Sequence, residues 1–251
     1  MSLESVSLRF AGRTVIVTGA GSGIGRATAL RLAAEGAAVV AADVNATGLA
    51  ELAAEADRVT PVAGDLTDPK TVAEVVAAAD GRIDGLANVA GIMDGFLPAA
   101  ELDDATLERV FAINVTAPMR LTREVLPLML EAGSGSIVNV ASEASLRGSA
   151  AGAAYTASKH AIAGYTKNLA VFYGPKGIRS NAVAPGPTIT GIEGSMKSAL
   201  AAERIGPIMQ AVLPAPAPAE HLAASIAWLL SDDSANVNGV ILPSDNGWSA
   251  I

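Results

Sequence analysis

The fold is decided by the stretch Thr14-Val15-Ile16-Val17-Thr18-Gly19-Ala20-Gly21-Ser22-Gly23-Ile24-Gly25-Arg26. Its first five residues are all β-branched, which is typical of a strand that packs on a pleated surface. Glycines then form a turn that leads directly into an apolar helical pattern. A strand, a glycine-rich turn and a helix in this order predict the first half of a β-α-β unit.

Short apolar runs alternate with Ala- and Leu-rich helical patterns along most of the chain. This alternation predicts repeated β-α-β units, a parallel sheet and helices on both of its faces. We expect one domain over residues 1–251, because the proline-rich run 213–218 leaves too little chain after it for a second core. The predicted strands are 14–18, 38–42, 59–63, 85–89, 136–140, 179–183 and 239–242, and the predicted helices are 24–35, 46–57, 69–79, 103–131, 154–173 and 219–230.

Charge and composition exclude several classes of function. The 17 Lys and Arg against 25 Asp and Glu give a net charge of -8, which repels nucleic acid and anionic membranes. Hydrophobic residues make up 51% of the chain, yet no uninterrupted apolar run reaches the length of a membrane span. Residues 1–12 contain Glu4 and Arg9 and lack a secretory core, so we expect a cytoplasmic protein.

Cysteine and histidine usage argues against metal and thiol chemistry. The chain has no Cys and only two His, His160 and His221. Disulfides and thiolate catalysis are therefore excluded, and we expect no metal site.

The glycine-rich turn is a candidate phosphate site. Backbone amides at the start of a helix favour a diphosphate, and glycines let that group approach closely. The spacing is a variant of Gly-x-Gly-x-x-Gly, and an ordinary strand-to-helix turn is the alternative interpretation. The candidate residues are Gly19, Gly21, Ser22, Gly23, Ile24 and Gly25.

Asp43 supports a dinucleotide. It lies 20 residues after Gly23, at the end of the second predicted strand, where a carboxylate can accept hydrogen bonds from a ribose. A carboxylate there repels a 2'-phosphate, and the neighbouring Val44 offers no cation, so we predict NAD rather than NADP. The alternative is that Asp43 forms a turn or caps the next helix.

Tyr155 and Lys159 form a candidate catalytic pair. A spacing of four residues brings both side chains to one face of a helix, where the ammonium can favour the phenolate. An unperturbed phenol ionises near pH 10, so a catalytic tyrosine needs such help. Taken alone, the pair could equally be a packed ring beside a solvated charge.

With these residues in place, the chain resembles the short-chain dehydrogenase/reductase family over essentially its whole length. The resemblance implies a Rossmann-type, doubly wound, seven-stranded parallel sheet. Further motifs occur in the family's order: Asp65 with Leu66 after the third strand, Asn88-Val89-Ala90-Gly91 after the fourth, Asn114, Ser142 thirteen residues before Tyr155, and Pro185-Gly186 with Thr188 and Thr190.

The resemblance implies a role for each of these residues. Tyr155 would be the acid or base, Ser142 would hold the substrate oxygen, and Lys159 would bind the nicotinamide ribose and lower the pKa of the phenol. Asn114 would hold a water that links Lys159 to solvent. Ser142 could instead cap a turn, and Asn114 could be a buried helix residue bonded to backbone. The remaining motif residues would contact NAD, with Thr188 or Thr190 holding the carboxamide.

Two departures from the family pattern occur. Val89 replaces the second Asn of Asn-Asn-Ala-Gly, which would remove a structural hydrogen bond. Asn246 stands in Asp245-Asn246-Gly247-Trp248 where the family has Gly, and Asn tolerates a left-handed backbone. Neither departure removes a catalytic group.

The substrate is predicted to be a small neutral or apolar alcohol or ketone. Glu143 and Asp94 argue against an anionic one, and the stretch 190–214 would form a lid. The residues expected near the carbonyl are Met93, Glu143, Ala144, Leu146 and Met196, with Phe96 beside them.

Other functions stay open at this stage. Within the family the alternative is reduction of 3-ketoacyl groups. Outside it, a non-catalytic NAD sensor or scaffold, or a methyltransferase, would explain the glycine turn and Asp43 but not the Tyr155, Lys159 and Ser142 set. The resemblance also implies a homotetramer, in which the long fourth and fifth helical segments pair across one interface.

Overall fold

The fold is a twisted sheet of seven parallel strands, seen in a computed structural model that describes residues 8–192 and 194–250. Every strand pairing between neighbours is parallel. The predicted doubly wound α/β sheet is therefore confirmed. The strands are β1 (Thr14–Thr18), β2 (Ala38–Asp43), β3 (Val59–Ala63), β4 (Gly85–Asn88), β5 (Gly135–Val140), β6 (Ile178–Pro185) and β7 (Ile241–Ser244).

Strand order places the functional crevice. The order is β3-β2-β1-β4-β5-β6-β7, so the chain reverses direction of winding between β1 and β4. In such sheets the crevice opens at the carboxyl ends of the strands on either side of that reversal. The residues that follow β1, β2, β4, β5 and β6 therefore converge on one edge.

Helices cover both faces of the sheet. One core packs the helices Gly23–Ala34, Ala46–Glu55 and Ala219–Leu230 against the strands, and the other packs the helices Pro69–Ala77, Ala117–Ala132 and Ala153–Tyr173 against the opposite face. Burial on both sides explains the continuous apolar runs in the strands. The helices are α1 (Gly23–Ala34), α2 (Ala46–Glu55), α3 (Pro69–Ala77), α4 (Asp104–Phe111), α5 (Ala117–Ala132), α6 (Ala153–Tyr173), α7 (Ala199–Val212) and α8 (Ala219–Leu230).

The last strand starts two residues later than predicted. Side-chain amides occupy the positions where its first ladder bonds would form: Asn238 accepts from the Ser180 amide at 2.8 Å, and Asn181 accepts from the Val240 amide at 3.1 Å. Regular pairing therefore begins only at Ile241. Side chains that replace backbone bonds leave no trace in a hydrophobic pattern.

The predicted helix 103–131 is interrupted. A π-helical turn, Ala112–Thr116, separates α4 from α5, and Pro118 lies in the first turn of α5. Such a turn commonly marks a functional position in a helix. Here it contains Asn114.

The predicted lid contains a helix that the sequence analysis missed. Helix α7 occupies much of 190–214, but Gly206 and Pro207 within it are loop signals. Of its residues only Ala201 is buried. Among the described residues, no helix is long and apolar enough to cross a membrane.

Candidate active site

The glycine turn joins β1 to α1 with almost no space between them. A Cβ added at Gly25 would lie 2.1 Å from the Gly19 carbonyl oxygen, and Gly19 and Gly23 have φ of +66° and +51°. Glycine is required at these positions by close packing and by left-handed backbone. Ser22, the N-cap of α1, makes no side-chain capping bond, and the first turn of α1 carries no acidic residue. The bare helix start favours an anion.

Asp43 is held rigidly beside this turn. Its carboxylate accepts from the Gly21 amide at 2.9 Å and from the Asn45 amide at 2.8 Å. Asn45, not Asp43, caps α2, by accepting from Gly48. Asp43 thus does shape the turn, as the alternative interpretation held, and its charge also faces the crevice.

A single cavity of about 1100 Å³ runs from Asp43 to Tyr155 and Trp248. It is lined by every residue predicted to contact the cofactor except Gly21, which is covered by Asp43. Ser142 and Met93 also line it, whereas Asn114 lies behind its wall. The residues brought together along the cofactor end are Gly19, Ser22, Gly23, Ile24, Gly25, Val44, Asp65, Leu66, Asn88, Ala90, Gly91, Lys159, Pro185, Gly186, Thr188 and Thr190.

Tyr155 and Lys159 lie on one face of α6 and are 8% and 4% exposed. The Lys159 Nζ is 5.5 Å from the centroid of the Tyr155 ring and donates to the Val140 carbonyl at 2.8 Å. Burial lowers the pKa of Lys159 to about 8. The ammonium is thus anchored to β5 at a position beneath the phenol ring.

The pKa of Tyr155 is raised to about 12, which differs from the sequence expectation. Burial is the largest cause; a hydrogen bond with Ser142 lowers the pKa, and the negative charge of Asp94 raises it further. Desolvation and the Asp94 charge together disfavour the phenolate more strongly than the Ser142 hydrogen bond favours it. The phenol therefore stays protonated over the whole neutral range.

Asn114 bridges the π-helical turn to the end of β4. Its Oδ1 accepts from the Ile92 amide at 2.9 Å, and its Nδ2 donates to the Ile92 carbonyl at 3.0 Å and to Ser158 at 3.1 Å. It is the buried, backbone-bonded asparagine of the alternative interpretation. Its Oδ1 also lies near Lys159, because a Cβ added at Gly91 would meet both polar atoms, at 3.3 and 3.4 Å.

The motif after β4 is held by a threonine of β1. The Thr18 hydroxyl accepts from the amides of Val89 and Ala90, at 2.9 and 3.1 Å. Asn88 turns inward and donates to Asn139 at 2.9 Å, while Val89 packs against an apolar cluster. Apolar packing thus occupies the position where an Asn side chain would have bonded.

The segment after β6 covers the glycine turn. Thr190 packs on Gly23, where an added Cβ would come within 3.0 Å of the threonine Cβ. Thr188 instead donates to the Gly186 carbonyl at 3.1 Å and bridges to Ala217. Both threonines line the cavity, and Thr190 packs against the glycine turn.

The substrate end differs from the sequence prediction. Of the five residues expected there, only Met93 lines the cavity; Glu143, Ala144, Leu146 and Met196 do not. Leu146 is 42% exposed on the outer surface. The predicted neighbour Phe96 does line the cavity, and so do Met209 and Leu213 of the predicted lid. Apolar lining residues that the sequence did not indicate include Leu97, Ala150 and Trp248.

The two carboxylates that argued against an anionic substrate have structural partners. Glu143 is buried and paired with Arg147, whose guanidinium lies 5.2 Å from the centroid of the Trp248 ring and bonds the Trp248 carbonyl. Asp94 is buried and accepts backbone N–H groups, including that of Tyr155. Both carboxylates are bound by groups of the protein itself, so their presence does not indicate the charge of the substrate.

Known proteins have sequences similar to most of this chain. A family model described as short chain dehydrogenase matches residues 13–201. The chain is 42% identical over 251 residues to short chain dehydrogenase adrF of Penicillium roqueforti, a match that covers 94% of this chain and 97% of that protein. It is 41% identical over 264 residues to levodione reductase of Leifsonia aquatica, with 98% of each chain covered.

Solved structures agree on the fold and differ in cofactor. The crystal structure of levodione reductase has a TM-score of 0.85 at 38% identity, covering 96% of this chain and 99% of that one. A Beutenbergia cavernae structure with TM-score 0.85 and 37% identity, covering 98% and 100%, contains NADP at low occupancy. A 3-ketoacyl-(acyl-carrier-protein) reductase from Brucella melitensis, with TM-score 0.85 and 30% identity, covering 95% and 99%, is complexed with NADH.

Proposed function

This chain belongs to the short-chain dehydrogenase/reductase family, and we propose that it uses NAD to interconvert a secondary alcohol and a ketone. The chain is an oxidoreductase with a Rossmann-type nucleotide-binding fold. The observation that carries the proposal is the cavity that joins the glycine turn to the buried Tyr155 and Lys159 and the half-buried Ser142. We assign this chemistry to one domain over the whole chain.

The residues of the cofactor end fit a nicotinamide dinucleotide. The start of α1 offers uncapped N–H groups to a diphosphate, and Gly19 and Gly23 line the cavity beside it. In this proposal Asp43 binds a ribose, Asp65 and Leu66 contact the adenine, and Lys159 with Thr188 or Thr190 binds the nicotinamide end. All of these residues line the cavity. When bound, the cofactor supplies or accepts a hydride.

Tyr155 is proposed to move the proton. In ketone reduction its phenol donates to the carbonyl oxygen, and in alcohol oxidation it accepts the hydroxyl proton. A phenol with a pKa of about 12 is protonated at neutral pH, which suits the donor role. Ser142, which bonds the same phenol, would hold the substrate oxygen beside it.

NAD is proposed over NADP because of the charge of Asp43. Both of its oxygens are fixed by the backbone amides of Gly21 and Asn45, so the carboxylate cannot turn away from a 2'-phosphate. Arg26 at the start of α1 is paired with Glu55 and is thereby drawn toward α2. A like charge held in place disfavours the phosphate.

The substrate is proposed to be an uncharged, mainly apolar ketone or alcohol. The cavity end beside Tyr155 is walled by Met93, Phe96, Met209 and Trp248. None of these four side chains carries a charge that could bind an anionic group. The relative named levodione reductase also supports an uncharged carbonyl compound. A 3-ketoacyl substrate is the alternative within the family.

The experiment compares Tyr155→Phe with a matched control, Tyr173→Phe, at the other end of the same helix. Each protein is mixed with NAD and a panel of secondary alcohols, and the nicotinamide absorbance is followed. We expect turnover in the wild type and the Tyr173 variant, and loss of turnover without loss of NAD affinity in the Tyr155 variant. Turnover that survives removal of the Tyr155 hydroxyl contradicts the mechanism, and binding without turnover across the panel favours the sensor alternative.

A cytoplasmic homotetramer is proposed from the family resemblance. The predicted interface would join α5 and α6 of neighbouring subunits, and both helices expose apolar side chains, Met119 on α5 with Val171 and Phe172 on α6. Light scattering coupled to size-exclusion chromatography tests this assembly. A monomer at micromolar concentration contradicts it.

A further inference from the structure

Asp94 is a buried carboxylate with no role in the chemistry described so far. It follows β4 in the loop that leads to α4 and is 3% exposed. Its Oδ1 accepts from the Phe96 amide at 3.1 Å and from the Gly152 amide at 3.2 Å, and its Oδ2 accepts from the Tyr155 amide at 2.8 Å. All of these donors are backbone N–H groups, and two of them lie about 60 residues further along the chain.

The start of α6 depends on these bonds. The N-cap of α6 is Gly152, which has no side chain and makes no capping bond. An N-cap side chain normally accepts the N–H of the third helical residue, which here is Tyr155. Asp94 accepts that N–H and the N–H of Gly152, while the Leu97 carbonyl accepts from Ala153 at 2.9 Å. A remote loop therefore caps the helix.

The approach of Asp94 to the start of α6 requires glycine at residue 152. A Cβ at this position would lie 2.5 Å from Asp94 Oδ2 and 2.5 Å from the Leu97 amide nitrogen. The loop can reach the helix start only because residue 152 is a glycine. The absence of a side chain at residue 152 thus removes the usual cap and at the same time lets the Asp94 carboxylate take its place.

We propose that Asp94 is the positioning residue for the acid/base tyrosine: it anchors the first turn of α6 and so fixes the Tyr155 phenol against Ser142 and over Lys159. This rests on the proposed function of Tyr155. Asp94 acts on the reaction through Tyr155 and is not itself a proton donor or acceptor. Removing it leaves the phenol present but poorly placed.

The same carboxylate opposes ionisation of the phenol that it positions. The charged groups around Tyr155 are Asp94 from the β4 loop, Lys159 from the same helix, and the Glu143–Arg147 pair behind Trp248. The Asp94 charge raises the pKa of Tyr155, so neutralising it must lower that pKa. Asp94→Asn keeps a capping acceptor and removes the charge, so the pH profile reports the effect of the charge separately from the effect of the cap.

The loop around Asp94 also meets the lid. Phe96 has a φ of +59°, an unusual conformation for a bulky residue, and its amide is bonded to Asp94. The Gly95 carbonyl accepts from the Lys197 amide at 2.9 Å, just before α7. Loss of Asp94 therefore disturbs the cavity wall as well, and KM is expected to rise less than kcat falls.

The test uses Asp94→Asn, which keeps one acceptor and removes the charge, and Asp94→Ala, which removes both. Glu35→Gln is the matched control, because Glu35 is a buried carboxylate paired with Arg9 and Arg31 far from the cavity. Three quantities are measured on the full-length protein: amide hydrogen exchange at residues 152–156, the Kd for NAD, and the pH dependence of kcat for alcohol oxidation and ketone reduction.

We expect Asp94→Ala to speed exchange at the start of α6 and to lower kcat by about tenfold to a hundredfold, since misplacement of a reacting group by about 1 Å has effects of this order. The Kd for NAD should stay within about twofold. In Asp94→Asn, the pH at which alcohol oxidation is half-maximal should move to lower pH. Glu35→Gln should lose stability and show none of these changes.

Two results overturn the inference. Unchanged exchange at 152–156 in Asp94→Ala would show that the carboxylate does not anchor α6. Faster exchange with kcat and pH profile matching those of Glu35→Gln would reduce Asp94 to an ordinary structural residue. A wild-type protein without alcohol or ketone turnover is a different failure, because it contradicts the proposed function before any Asp94 variant is compared.

Discussion

The two ends of the cavity are built from different lengths of chain. The cofactor end begins with one β-α-β unit, in which Gly19, Gly23 and Asp43 lie within 25 residues of one another. The substrate end collects Met93, Met209 and Trp248 from segments spread over more than 150 residues of the chain. Local backbone geometry determines the shape of the cofactor end, whereas packing between distant side chains determines that of the substrate end. Only the cofactor end can therefore be predicted from local sequence.

The largest effect should come from filling the space at the glycine turn. In Gly25→Ala the new Cβ meets the Gly19 carbonyl oxygen, and overpacking of this kind costs about 1–3 kcal/mol or more. We expect a lower free energy of unfolding in urea and loss of NAD binding. Gly164→Ala on α6 adds the same methyl where no atom lies within 4 Å, so it should be neutral or stabilising.

The second effect tests the charge at the cofactor end. Asp43→Asn keeps an acceptor for Gly21 but removes the charge, so the ratio of kcat/KM for NAD to that for NADP should fall by about tenfold, equivalent to about 1.4 kcal/mol. Asp57→Asn removes an exposed charge outside the cavity and should leave the ratio unchanged. Equal ratios in wild type and Asp43→Asn would contradict the NAD assignment.

A smaller effect separates the two accounts of the substrate end. Met209→Ala removes part of the cavity wall and should raise KM for an apolar ketone by a few fold, since a buried methylene is worth about 0.8 kcal/mol. Leu146→Ala alters the residue expected from sequence, which lies on the outer surface, and should leave KM unchanged. A raised KM in Leu146→Ala with an unchanged KM in Met209→Ala would instead support the substrate contact predicted from the sequence.

The pH dependence should have opposite signs in the two directions. Alcohol oxidation needs the phenol to give up its proton, and because the pKa of Tyr155 is raised, the rate should climb as the pH rises above neutral. In the proposed mechanism, ketone reduction uses the protonated phenol and the Lys159 ammonium. Since burial lowers the pKa of Lys159 to about 8, reduction should fall as the pH rises through that value. Initial rates measured between pH 6 and pH 10 check both signs, and a rate of reduction that is constant across pH 8 would contradict the role of the ammonium.

Much of the fold was predictable because it rests on local signals. Strands such as Thr14–Thr18 and Val59–Ala63 have the predicted bounds. The start of β7 and the π-helical turn at Asn114 were not predictable, because both depend on side-chain amides that bond distant backbone. Helix α7 was missed because Gly206 and Pro207 resemble a loop and the helix is hardly buried.

The same division holds in the site. Every predicted cofactor residue except Gly21 lines the cavity, whereas four of the five predicted substrate residues do not. Glu143 illustrates the reason: its position next to Ser142 suggested a substrate contact, but its charge is satisfied internally by Arg147. A pairing of that kind is visible only in three dimensions. The only feature of the sequence that bears on the role inferred for Asp94 is Gly152, where a side chain would block the approach of the carboxylate.

In the proposed reaction a hydride passes between a carbinol carbon and NAD while Tyr155 moves the proton. A secondary alcohol deuterated at its carbinol carbon tests this step when the mass of the reduced nicotinamide product is followed. We expect deuterium to enter the cofactor with the wild type and the rate to fall by at least about a hundredfold in Tyr155→Phe at equal NAD occupancy. Reduced cofactor without deuterium, or an unchanged rate in the variant, would contradict it.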